Sequence, residues 1–149
     1  MQFTKEQKEV IDGSLLGDAC IWTNFKTPNK KFQKSQSKLD HKGGDKVSYM
    51  RWHEKVLHSF PTNVAFENFK GIGGKMYQRY TLTTAMHEIW KAVDERWYDL
   101  WLEDRCIKRR KRVPLDLKLT PLMACVWHMD DGSNNPIDAN IELNTQGFN

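Results

Sequence analysis

The stretch Leu119-Thr120-Pro121-Leu122-Met123-Ala124-Cys125-Val126-Trp127-His128-Met129-Asp130-Asp131-Gly132-Ser133 decides the fold. Thr120 supplies a capping hydroxyl and Pro121 suits the first helical position, so an apolar helix starts there. It ends on two carboxylates and a glycine. The design recurs in Val10-Ile11-Asp12-Gly13-Ser14-Leu15-Leu16-Gly17-Asp18-Ala19, a helix of apolar and small residues whose last turn delivers an aspartate. Gly13 and Gly17, four apart, would let two helix backbones approach closely. A glycine near a helical C-cap is the plainer reading of that pattern. Two such helices side by side would bring Asp18 and Asp131 together, and converging carboxylates can hold divalent cations.

Outward from these helices, Thr4-Lys5-Glu6-Gln7 reads as a capping box before a helix from about 5 to 17. From Ala19 the period becomes two, with Ile21, Thr23 and Phe25 alternating with Trp22, Asn24 and Lys26. Turn residues from Lys26 to Lys31 then lead to a strand near Phe32 to Leu39. Asp40 to Asp45 reads as a loop, and Val47 to Phe60 as a helix offering Val47, Met50, Val56 and Leu57 for burial. A second hairpin, Val64 to Gly71 and Lys75 to Thr83, folds about Gly71-Ile72-Gly73-Gly74. A long helix from about 85 to 104 is expected, with Ile89, Trp90, Val93, Trp97 and Trp101 on one face. The order is αββαββα, then the final helix and a strand from Ile141 to Thr145. The fold class is therefore α+β, with an antiparallel sheet.

A chain of 149 residues suits one hydrophobic core. It has no apolar run near the length of a membrane helix, and its start is polar where a secretion signal would be apolar. An intracellular chain is expected, with compartment and host unknown. Cys20, Cys106 and Cys125 are odd in number and lack CxxC spacing, which argues for reduced thiols rather than a disulfide framework or structural zinc. The net charge is +4, concentrated in the Arg105–Arg112 run and in Lys26, Lys30, Lys31, Lys34 and Lys38. Such clusters favour polyanions, although either alone is more often a solvated face than a binding surface. His53 and His58 do not form an HExxH pair. Trp90, Trp97, Trp101 and Trp127 fit helical core spacing, and His128 reads as a neutral, hydrogen-bonded core residue.

This order and these motifs resemble the LAGLIDADG homing endonucleases, in particular the two-motif monomeric kind encoded by mobile introns. The first motif is Ile11 to Ala19. The second, Leu119-Thr120-Pro121 with Trp127-His128-Met129-Asp130-Asp131-Gly132-Ser133, is close to the family's LTP…WFMDDGS pattern. Phe32-Gln33-Lys34-Ser35-Gln36-Ser37 and Leu143-Asn144-Thr145-Gln146-Gly147-Phe148 are similar to two strand signatures of that family.

The resemblance implies a site-specific endonuclease that hydrolyses double-stranded DNA with Mg²⁺. Asp18 and Asp131 would hold the metal, with the main-chain carbonyls of Gly17 and Asp130 completing part of its shell. Lys111 matches a basic residue near the scissile phosphate, and Gln36 a peripheral active-site position. Antiparallel ribbons enter the major groove. Trp22, Asn24 and Lys26 on the first strand, with Gln33 and Ser35 on its neighbour, are therefore candidate DNA contacts. Asn68, Lys70, Tyr77 and Arg79 are candidates in the second hairpin, where Phe66 and Tyr80 leave the face open.

Residues 1–118 read as a first module and 119–149 as the second motif with the start of an incomplete second module. The remainder after Asp131 is too short for another four-stranded sheet. A truncated frame, a domain boundary, or self-association or a second chain supplying the missing half would each account for this. A noncatalytic DNA-binding remnant and an RNA maturase acting on intron RNA are the alternative functions.

Overall fold

Thr4 opens the first helix, α1 (Lys5–Leu16), with a complete capping box. Its hydroxyl accepts from the Gln7 N–H at 3.1 Å, and Gln7 Oε1 accepts from the Thr4 N–H at 3.0 Å. The structure is a computed structural model that describes residues 2–26, 33–42, 47–103, 106–135 and 140–143. After α1 come β1 (Ala19–Lys26), β2 (Gln33–Lys42), α2 (Val47–Val56), β3 (Thr62–Lys70), β4 (Met76–Thr84) and α3 (Ile89–Trp97). A hairpin β5 (Tyr98–Glu103) and β6 (Cys106–Lys111) precedes α4 (Pro121–Asp131), and a short pair β7 (Gly132–Asn135) and β8 (Asn140–Leu143) follows. No helix among the described residues is long and apolar enough to cross a membrane.

Strands β1 to β4 form an antiparallel sheet in the order β1-β2-β4-β3. Its inner face carries Ala19, Ile21, Leu39 and Leu82, all fully buried. Against them pack Leu15 of α1, Met50 of α2, Leu57, and Trp90 and Trp97 of α3. Burial of these large apolar groups, each worth about 1.5–3 kcal/mol, fixes the helices to one side of the sheet. Gly73 and Gly74 take positive φ (77° and 83°) in the β3–β4 turn, which favours glycine there.

Three expectations change. The sequence 40–42 is not a loop, because β2 continues to Lys42 and turns His41 into the core. The α2 helix stops at Val56, short of Phe60, and Val47 stays 39% exposed instead of joining the core. The long helix to residue 104 ends at Trp97. Its tail suits both periods, but Leu100 and Asp99 alternate like a strand, and pairing with Cys106–Lys111 decides for β5. Trp101 is consequently 44% exposed instead of packed.

The β5–β6 hairpin covers the free edge of β1 with side chains. Tyr98 OH accepts from the Ile21 N–H at 3.1 Å, and the Arg109 guanidinium donates to Ile21 O at 2.7 Å. Arg109 also lies over the Tyr98 ring and pairs with the fully buried Asp94. Side chains thus satisfy the backbone of Ile21 on that edge and block strand pairing at that point.

Candidate metal centre and nucleic-acid interface

Helices α1 and α4 touch at glycine. A Cβ at Gly13 would stand 2.8 Å from Val126 Cβ and 2.9 Å from Met123 O, and one at Gly17 would stand 2.8 Å from Asp130 Oδ2. Gly17 is also the C-cap of α1. Both readings of the glycine pair therefore hold at once: the small residues end the helix and let it meet its neighbour. Thr120 caps α4, accepting from the Met123 N–H at 3.3 Å, with proline in the first turn.

The consequence is that Asp18, just past the end of α1, meets Asp131, the last residue of α4. Their carboxyls share a hydrogen bond. Asp18 is raised from the ordinary 3.8 to about 6, by partial burial first and then by the charges of Asp131 and Asp130. Burial and Asp130 raise Asp131 as well. Burial and neighbouring carboxylates make both acids hold their protons more tightly than free carboxyls do, which marks a pair short of positive charge.

Asp130 turns the opposite way. Its side chain is 1% exposed, and Oδ1 takes hydrogen bonds from His41 Nε2 at 3.0 Å and the Tyr49 hydroxyl at 2.9 Å. The Tyr49 hydroxyl also lies 3.2 Å from Val126 O. Behind it, His53 Nδ1–H donates to Tyr49 O and Nε2 accepts from the Ser14 hydroxyl, both at 3.1 Å. Burial, and then His41, lower His53 to about 4, so the ring is neutral and this tautomer follows. Sequence reading missed His41, Tyr49 and His53 here. The one signal available was the alternation Ser37, Leu39, His41, which carries β2 past Leu39.

Lys111 donates to Leu15 O (2.9 Å), Gly17 O (3.2 Å) and Ala19 O (2.8 Å), closing the C-terminal end of α1. Burial lowers its pKa, while the charges of Asp131, Asp18 and Asp130 act to raise it. The Gly17 carbonyl expected to face a metal is thus already held by an ammonium.

Among the described residues no three His, Cys, Asp or Glu side chains form a metal-holding group. A cation here would rest on two carboxylates and main-chain oxygens, the hard donors that suit Mg²⁺. The buried Asp130 Oδ2, without a hydrogen-bond partner among the described residues, leaves a further uncompensated negative group behind the pair, against Gly17. The donor set fits.

On the sheet's outer face, Trp22 (43% exposed) and Asn24 project together, and Lys38 Nζ lies 5.6 Å above the Trp22 ring. Register places Lys26 opposite Gln33 and Asn24 opposite Gln36, with an irregularity at Asn24/Phe25. The side chains of Lys26, Gln33, Ser35 and Gln36 lie outside the described residues. The second hairpin does not present its four candidates together. Tyr77 and Arg79 share the face of Trp22, whereas Asn68 and Lys70 lie on the face of Phe66 and Tyr80, which continues the core side. Arg79 is committed to Glu67 at 3.1 Å and stacks on Phe69.

The basic run is likewise divided. Arg109 and Lys111 point inward, Lys108 pairs with Glu103 and Arg112 with Asp99, so the run is not one open polyanion surface. His128 is not the hydrogen-bonded residue expected, for its buried Nε2 lacks a partner among the described residues.

The glycine-packed helix pair, ending in two acids, thus stands beside an antiparallel sheet with a polar outer face. Residues 8–149 match the profile described as the LAGLIDADG DNA endonuclease family, and the chain belongs to that family. It is 28% identical to uncharacterized protein MJ1098 of Methanocaldococcus jannaschii, over 97% of this chain and 51% of that one. To protein RecA of Mycobacterium gastri it is 25% identical, over 95% of this chain and 30% of the relative. The chain therefore spans about half the first relative and under a third of the second. Its fold is similar to that of the homing endonuclease I-WcaI bound to its DNA recognition sequence, with a TM-score of 0.70 and 21% identity, over 99% of this chain and 62% of that one.

Proposed function

We propose that this chain carries a divalent-metal-dependent endonuclease site that hydrolyses phosphodiester bonds in double-stranded DNA. The observation that carries this is the meeting of Asp18 and Asp131 at the end of the glycine-packed helix pair. The two carboxylates, with the Asp130 carbonyl, would hold Mg²⁺, and the Gly17 carbonyl would join them through the lone pair that Lys111 leaves open. When bound, the metal supplies Lewis-acid polarisation and a water acidified toward neutral pH. Lys111 fixes the α1–β1 junction and sets a positive charge beside both acids. Gln36 is assigned the peripheral position at the site.

The outer sheet face supplies DNA contacts through Trp22, Asn24, Lys26, Gln33, Ser35, Tyr77 and Arg79, while Asn68 and Lys70 reach DNA only at the hairpin's end. The DNA recognition sequence bound by I-WcaI supports a DNA partner. We read residues 1–118 as one module and 119–149 as the start of another. The exposure of Leu119 and Met129 on and beside α4 supports a further half packing there, from the same chain or a second copy.

Asp18→Asn and Asp131→Asn should each abolish Mg²⁺-dependent cleavage of duplexes drawn from a randomised library, yet leave binding intact. Wild-type binding without cleavage would mark a DNA-binding remnant. Preference for intron RNA at equal salt would mark a maturase.

A further inference from the structure

We propose that Tyr49 and His41 are positioning residues for the metal centre, holding the last turn of α4 so that the Asp130 carbonyl and the Asp131 carboxylate face Asp18. The inference rests on the reading of Asp18 and Asp131 as metal ligands.

Val126 and Asp130 stand one helical turn apart, and the Tyr49 hydroxyl bridges them, at 3.2 Å from the Val126 carbonyl and 2.9 Å from Asp130 Oδ1. His41 Nε2 reaches the same carboxylate oxygen at 3.0 Å. A carboxylate with a side chain 1% exposed is costly unless donors meet it, so Asp130 is drawn toward this pair. With its side chain anchored inward, the main chain of the final turn is fixed at the opposite side, where Asp131 follows.

The two donors come from different elements, His41 from β2 and Tyr49 from α2. Both are themselves braced: the His53 ring meets His41 edge-on at 4.6 Å and Tyr49 at 4.5 Å. His53 in turn is hydrogen-bonded to Ser14 of α1. A continuous chain of contacts thus runs from α1 through α2 to the acidic end of α4, separate from the contact at Gly13. Groups that orient metal ligands through hydrogen bonds are commonly worth about 10–100-fold in metal affinity or activity.

The test is a Mn²⁺ titration of the full chain followed by electron paramagnetic resonance, with and without a random-sequence duplex. Loss of a Mn²⁺ site in Asp18→Asn identifies the centre. Tyr49→Phe keeps the ring and removes the hydroxyl, and its apparent Mn²⁺ Kd should rise about 10–100-fold while cooperative thermal unfolding is retained. His41→Leu should show a rise of the same kind, and His41→Gln, which keeps a donor, should restore much of the affinity. This pair decides the matter if Tyr49→Phe does not fold.

Variants that melt at lower temperature but bind Mn²⁺ as the wild type does would overturn the positioning role. Absence of any Asp18-dependent Mn²⁺ site in the wild type would instead overturn the metal-centre reading, and is seen before any Tyr49 variant is measured.

Discussion

Gly13→Ala sets two effects of opposite sign against each other. In a free helix, alanine is favoured over glycine by about 1 kcal/mol. Here the added Cβ would lie 2.8 Å from Val126 Cβ and 2.9 Å from Met123 O. Non-bonded carbons rest at about 3.5–4.0 Å, so α1 and α4 must part by roughly 1 Å. Overfilling a packed interior costs about 1–3 kcal/mol, and the Met123 carbonyl, being backbone, cannot rotate aside. The net expectation is a loss of about 0–2 kcal/mol by urea denaturation. Function should suffer more, since a displacement of about 1 Å at reacting groups can lower a rate about 10²-fold. Gly17→Ala should act in the same direction without the helical gain, because Gly17 lies past the helix end.

Gly73→Ala is the control. Its Cβ meets nothing within 4 Å, so only the positive φ opposes it, at about 1–2 kcal/mol and with the metal site intact. If Gly13→Ala unfolded at higher urea than the wild type and kept its cation affinity, the helices would not be in contact at Gly13. The argument for the site would then fail.

Two further expectations concern charge. Asp18 holds its proton more tightly folded, to about 6, than unfolded, near 3.8, so metal-free stability should be greatest below about pH 4 and fall as pH rises to about 6. The fall is softened because Asp18 is only partly buried and water screens its charge. It should be read as the wild-type minus Asp18→Asn difference in chelator; a difference that grows in the opposite direction would refute the shift. Lys111→Met removes a donor from three carbonyls and should cost roughly 1.5–3 kcal/mol without metal or DNA present, and unchanged melting would show that these contacts do not brace α1.

Much of this architecture was legible because local chemistry and tertiary context agree. Thr4 with Gln7 and Thr120 with Pro121 mark helix starts whose side chains satisfy backbone donors locally. The alternation from Ala19 marks a strand with one buried face. Residues 98–103 were not legible: Trp97 and Trp101 satisfy a helical period while Asp99 and Leu100 satisfy a strand period, and only the partner strand separates them.

By itself, the sequence determined that two helices end in acids and that the first carries glycines four apart, since capping, period and absent side chains are properties of a few adjacent residues. The tertiary structure alone decided that Asp130 faces His41 and Tyr49, that Lys111 closes on three carbonyls, and that Asn68 and Tyr77 lie on opposite faces. Each of these depends on which distant groups offer a buried charge or an open carbonyl its partner, and on strand register, neither of which is encoded over a few neighbouring positions.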